Sequence, residues 1–236
     1  MKIIKNKELR ELVANGITTE ELHQKYDYSD ISDMTAIFKD LDNTYFPEIN
    51  MAGVNYANNM FENCVNMNDI NIINTDSLVE CRYMFQNCMS ITTANLNITE
   101  ARIIINMFGM CVNLTDVHVE LNNILATDSM FFKCKSLTKI NDLTLNNVIT
   151  MDSMFFGCES LVNVPKLNAN NIKSVKGLFS ECKSLKYGPD LDTSTIIEFD
   201  DMFKGCHSLI SCPKYDFSST TSLKSFFRGC KSLTDV

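Results

Sequence analysis

Glycine and proline are scarce, eight and four residues in a chain of 236. With 21% charged and 45% apolar residues, this excludes a collagen-like or disordered chain and leaves enough apolar side chains for a core. Long apolar runs are missing too: no stretch approaches the ~20 residues of a spanning helix. The start, Met1-Lys-Ile-Ile-Lys-Asn-Lys-Glu8, is too charged for the apolar region of a signal peptide. The sequence as given therefore reads as cytoplasmic, and a surface or secreted placement would need a leader outside it. Positive charge is in deficit, 21 Lys and Arg against 29 Asp and Glu, a net of -8. That opposes direct nucleic-acid or anionic-membrane binding and suits a basic protein partner.

Catalytic signatures are absent as well. There is no Gly-rich phosphate loop, no Cys-x-x-Cys pair, and no serine or cysteine in a triad-type local motif. Neighbouring acids such as Asp200 and Asp201 read as caps or dipole partners of a helix start. The histidines, His23, His118 and His207, lie far apart. Cys206, His207 and Cys212 are zinc-ligand types, but both cysteines fall on core positions of the repeat described next. The expectation is no catalytic residue, no cofactor, no metal and no enzyme.

What the sequence has is cysteine in register. Eight of its ten cysteines, Cys64, Cys88, Cys111, Cys134, Cys158, Cys182, Cys206 and Cys230, are separated by 23 or 24 residues. A fixed period of this length marks a repeat array. Three residues before each cysteine stands a Phe, and four before usually a Met. Three after stands Leu, Ile or Met, and six after mostly a small or β-branched apolar residue. Cys81 and Cys212 occupy further core positions of the unit. A ladder of small buried thiols is the expected role, reduced rather than paired in disulfides.

A unit this short cannot bury its apolar side alone, so equivalent positions must stack. The segment three to nine residues after each cysteine reads as one short parallel strand. The segment before it, such as Met151-Asp-Ser-Met-Phe-Phe-Gly157, carries apolar residues at i, i+3 and i+4 and reads as one short helix. Asn or Gly just before the cysteine in five copies is the left-handed stop of that helix. Ser or Asn two residues after every cysteine suits the corner, and Pro165, Pro189 and Pro213 mark strand ends. The fold class is thus an α/β solenoid, and eight strands at ~4.8 Å make a sheet of roughly 35–40 Å.

Met130-Phe-Phe-Lys-Cys-Lys-Ser-Leu137, Met154-Phe-Phe-Gly-Cys-Glu-Ser-Leu161 and Met202-Phe-Lys-Gly-Cys-His-Ser-Leu209 resemble the BspA-like leucine-rich repeats, in the variant found in mycoplasma and other bacterial surface proteins. The resemblance covers residues 50–236. It implies a right-handed leucine-rich-repeat superhelix and a non-catalytic role in binding other proteins, mostly at a surface. Residues 1–49 form a separate N-terminal helical cap. Asn6 to Asn15 reads as a helix stopped at Gly16, Thr18-Thr-Glu-Glu21 as a box opening a second, and Met34-Thr-Ala-Ile-Phe38 as a degenerate first repeat.

If positions three and six after the cysteine face inward, those at five and seven face outward on the concave sheet. The partner-binding residues expected there are Asp69, Asn71, Thr93, Asn95, Asp116, His118, Lys139, Asn141 and Tyr187, with Asn163 and Ser211 in the same rows. Charge is uneven: residues 1–129 carry a net of -10 and residues 130–236 a net of +2, with no Lys or Arg from Leu41 to Cys81. Two readings remain open. One is a surface interaction protein. The other is a small intracellular inhibitor, encoded by a phage or mobile element, that occludes a basic nucleic-acid-binding host protein. The last repeat would leave an open parallel edge, through which a homodimer could form.

Overall fold

The computed structural model describes residues 1–235. Strand β1 (Lys2–Ile3) pairs in parallel with β2 (Tyr26–Asp27), and helices α1 (Asn6–Ala14) and α2 (Thr19–Lys25) lie between them in sequence. Thr18 caps α2 by accepting from Glu21 N at 3.2 Å. Ile4, Leu9, Val13 and Leu22 are buried and join the same core that continues to Phe226.

Nine coils follow. In the first, around Leu41, Phe38 is fully buried, and Cys64 Sγ donates to Phe38 O at 3.1 Å. Arg10 on α1 donates to Ile37 O and Lys39 O at 2.7 and 2.9 Å, so the helix lies against this coil.

The expected helix in each repeat is not formed. The six residues before each cysteine are a run of turns. Around Cys64, Met60 N donates to Ala57 O, Glu62 N to Asn59 O and Cys64 N to Phe61 O, three turns staggered by two residues. The alternate N–H groups of Asn59, Phe61 and Asn63 donate instead to Arg82, Met84 and Gln86 of the next coil at 2.8–2.9 Å. Left-handed backbone at Asn59 (φ 58°) and Asn63 (φ 62°), repeated at Ser153 (56°) and Gly157 (71°), is incompatible with a helix. The i, i+3, i+4 apolar pattern is shared by both conformations, because the inward positions of this turn run have the same spacing. The Asn or Gly before the cysteine is indeed left-handed, but it closes a turn.

Strands are uneven rather than one per coil. Strands β3 (Ile49–Asn50) and β4 (Ile72–Ile73) pair in parallel; β5 (Thr93–Asn97), β6 (Asp116–Glu120) and β7 (Lys139–Ile140) form a three-stranded sheet; β8 (Leu143–Thr144) pairs with β9 (Leu167–Asn168). Pro165, lacking an N–H, sits where the sheet stops. On another side an unbroken row of parallel bridges links Asp33, Tyr56, Glu80, Ile103, Ala126, Thr150, Ser174, Glu198 and Ser222.

Inside, like stacks on like. Phe61, Phe85, Phe108, Phe131, Phe155, Phe179 and Phe203 stack with centroids 5.4–5.8 Å apart and rings within 16° of parallel. Such pairs are worth about 0.5–1.5 kcal/mol each beyond burial. One position breaks the pattern: Thr127 is fully buried where other coils carry mainly apolar residues, and its hydroxyl has no partner. Phe131→Ala should cost about 3–5 kcal/mol of stability in thermal unfolding. Thr127→Val should add about 1–2 kcal/mol, because it removes a buried unsatisfied hydroxyl without changing shape.

Candidate interaction face

The sheet β5–β6–β7 sets the register of the outward residues. Thr93 stands beside Asp116, and Asp116 beside Lys139, while Asn95 stands beside His118. Ala94, Leu96, Val117 and Val119 alternate with them and are buried, as a strand's period of two requires. Lys139 Nζ lies 3.4 Å from Asp116 Oδ2 across two strands, and His118 Nε2 lies 3.8 Å from Glu120 Oε1.

Two depressions extend this face toward the C-terminal coils. One, of about 430 Å³, is lined by Asp116, His118, Lys139 and Asn141 and runs to Asn163, Val164 and Pro165. The second, of about 410 Å³, starts from those same three residues and ends at Tyr187, Gly188, Pro189 and Asp190. Tyr187 is 52% exposed. Between the two, Asn163 to Pro165 makes no strand pairing.

Five of the nine expected residues, Thr93, Asn95, Asp116, His118 and Lys139, thus share one sheet, and Tyr187 joins them across the depressions. Asp69 is exposed and Asn71 half-buried, but they precede β4, which pairs only with β3. Asn71 Nδ2 donates to Phe46 O at 3.4 Å. Asn141 is engaged by backbone: its Oδ1 accepts from Val119 N, and its Nδ2 donates to Val119 O, each at 2.9 Å. That bracket holds β6 where β7 has ended and leaves the amide little capacity for a partner. Lys166 and Asp190, which line the second depression, were not signalled by the repeat because they follow prolines beyond the regular strand.

The chemistry-bearing thiols are elsewhere. Each cysteine of the ladder donates its S–H to the carbonyl of the Phe one coil earlier, from Cys88 Sγ to Phe61 O at 3.1 Å through Cys230 Sγ to Phe203 O at 3.0 Å. All ten cysteines are free thiols. Cys206 Sγ is held by Phe179 O at 3.0 Å, and among the described residues no group of three His, Cys, Asp or Glu is placed to hold a metal.

Family comparison fits this geometry. The model for the BspA-type leucine-rich repeat region, in six copies, matches residues 36–162. The chain belongs to the BspA-type leucine-rich-repeat family. A second model, described as a Mycoplasma protein of unknown function, DUF285, matches residues 125–236. Among solved structures, the BspA-type chain is similar to a leucine-rich repeat protein from Bacteroides ovatus, at 18% identity and a TM-score of 0.49, over 85% of this chain and 62% of that one. It thus spans less than two thirds of that protein's length. A leucine-rich cell surface protein from Faecalibacterium prausnitzii is similar at 17% identity and a TM-score of 0.30, over 92% and 81%. No curated protein matches the sequence. Among the described residues no helix is long and apolar enough to cross a membrane.

Burial pushes the thiols up from the ordinary value of 9.0, to about 12 at Cys64 and Cys81 and to about 11 at Cys230. The native state therefore keeps them protonated where the unfolded chain ionises, so their contribution to stability is full below pH 9 and is lost as pH rises toward 12. The melting temperature of BspA-type repeats built this way should fall steeply across that window and be insensitive to thiols below it. Mass spectrometry after alkylation should show the half-buried Cys212 and Cys230 labelled before any of the other eight.

Proposed function

We propose that this chain is a non-catalytic protein-binding module, that the outward face of β5–β6–β7 with its two depressions receives the partner, and that the partner's contacting surface is basic. The observation that carries the reading is the face itself: a row of exposed polar side chains, with Tyr187 as an aromatic anchor, held on a rigid stacked core. Membership of the BspA-type family supports an interaction role. The burial of the thiols supports a role without nucleophilic chemistry.

The basic character of the partner rests on charge. The N-terminal half is strongly acidic, and Asp69 and Asp76 make no ion pair among the described residues. Such a field accelerates encounter with a cation-rich surface and weakens with salt. Helices α1 and α2 act in this reading as the cap of the first coil, which Arg10 clamps.

Asp116→Lys, on the face, should weaken the captured partner by at least about tenfold while leaving the melting temperature within a few degrees. Titration calorimetry against the partner, identified by capture from host lysate, measures the first and circular dichroism the second. Unchanged affinity would reject this face, and a lost fold would be visible independently.

A further inference from the structure

A third depression, of about 460 Å³, adjoins the second and is of a different chemical kind. It lies over β8, β9 and the coil that follows. Leu143, Leu145, Leu167, Ala169 and Leu191 are buried there, so the residues that alternate with them, Thr144, Asn146, Asn168, Asn170, Asp190 and Asp192, point outward. Thr144 stands directly beside Asn168 in the β8–β9 register. The result is a grid of polar side chains, ~4.8 Å apart from coil to coil and ~6.6 Å apart along each strand. Its backing is the same stacked core that fixes the rest of the solenoid.

These groups are free to bond a ligand. Several asparagines elsewhere tie one coil to the next, as Asn87 Nδ2 does to Asn63 Oδ1 at 3.0 Å and Asn123 Nδ2 to Thr99 O at 3.3 Å. In the depression, the side chains of Thr144, Asn146, Asn168 and Asn170 make no hydrogen bond among the described residues, and Asp190 makes neither a hydrogen bond nor an ion pair. Asp192 Oδ1 accepts from Ser194 N and Oγ at 3.0 and 2.7 Å, and its second oxygen has no partner among them.

The lining selects the ligand. No lysine, arginine or histidine contributes to it, and two carboxylates do, which opposes a phosphate or other anion. Its apolar residues Leu167, Ala169 and Leu191 are buried beneath the polar ones, so it lacks the apolar centre on which a protein partner would anchor. A sugar ring fits these constraints. Its neighbouring hydroxyls each donate and accept, and one side-chain amide or carboxylate meets two of them at once. The second depression shares Leu167 and Asp190 with this one and leads to Tyr187, 52% exposed, whose electron-rich ring face suits the C–H face of a further sugar.

We propose that this depression binds a neutral oligosaccharide of pyranose units. Asn146, Asn168 and Asn170 read its hydroxyls, Asp190 and Asp192 accept from them, and a longer ligand continues past Asp190 onto Tyr187. The protein-binding face is tested at Asp116, outside this depression, so the two readings fail separately.

The full chain, applied to an array of neutral oligosaccharides of glucose, galactose, mannose and N-acetylglucosamine with sialylated and sulfated ones beside them, should retain neutral members and none of the acidic ones. Titration calorimetry with the best-retained oligosaccharide then measures the site. Asn168→Ala combined with Asn170→Ala should weaken binding at least about tenfold. The melting temperature should stay within a few degrees, because neither amide bonds within the chain. Affinity should be the same in low and high salt, since the ligand carries no charge. An array on which no neutral oligosaccharide is retained, preferential retention of acidic ones, or a bound sugar indifferent to the double change would overturn the proposal.

Discussion

The structure depends on one repeated hydrogen bond. The carbonyl of each core Phe, such as Phe61, accepts both from its own coil, at Cys64 N, and from the next coil, at Cys88 Sγ. A buried carbonyl with one free lone pair in an apolar core is a standing cost, and the thiol is the smallest side chain here that both fills the space and donates. Leucine would satisfy the packing and leave the acceptor half used. Serine would donate, but its hydroxyl costs more to bury than a thiol. This is why the cysteines recur with a fixed period even though none is placed for chemistry.

That constraint sets how much could be read in advance. Phe131, Cys134 and Leu137 were legible as core because the Phe and Cys ladders keep one residue type in every repeat and the position of Leu137 stays apolar, and the period displays it. The cap of α2 was legible too, since Thr18 and Glu21 carry their own local hydrogen bond. The conformation before each cysteine was not. Met151, Met154 and Phe155 point inward from a turn run with the spacing a helix would use, and only the left-handed residues between them tell the two apart. Ser153 and Lys133 hold that conformation without being glycine or asparagine, so the composition signal is diluted.

The long bridge row from Asp33 to Ser222 was illegible for a related reason. Its bridges are backbone pairings and side chains such as Tyr56, Glu80, Ile103 and Ala126 share no chemistry, although Thr150 and Ser174 further along donate their hydroxyls to Asp128 and Asp152 of the preceding coil. Of the candidate face, the alternation along β5 and β6 fixed which residues point out. What it could not fix was whether an outward residue is free. Asn141 sits in the right row, yet it is tied to Val119 because the neighbouring strand ends there, and that end depends on coil length and Pro165.

The same logic explains where function is able to reside. A stacked core fixes every inward position coil after coil, so each unit differs from its neighbours mainly outside. At the positions flanking each cysteine, or Leu41 in the first coil, the residues differ in charge from coil to coil, from Asp40 and Asp42 through Lys133 and Glu159 to Arg228 and Lys231. Along the sheet the difference accumulates as a change of shape, from the flat pairing of Thr93 with Asp116 to the depressions before Tyr187. A solenoid whose interior were less strictly repeated would have to vary its core to vary its surface, and would lose the ladder that keeps the coils in register.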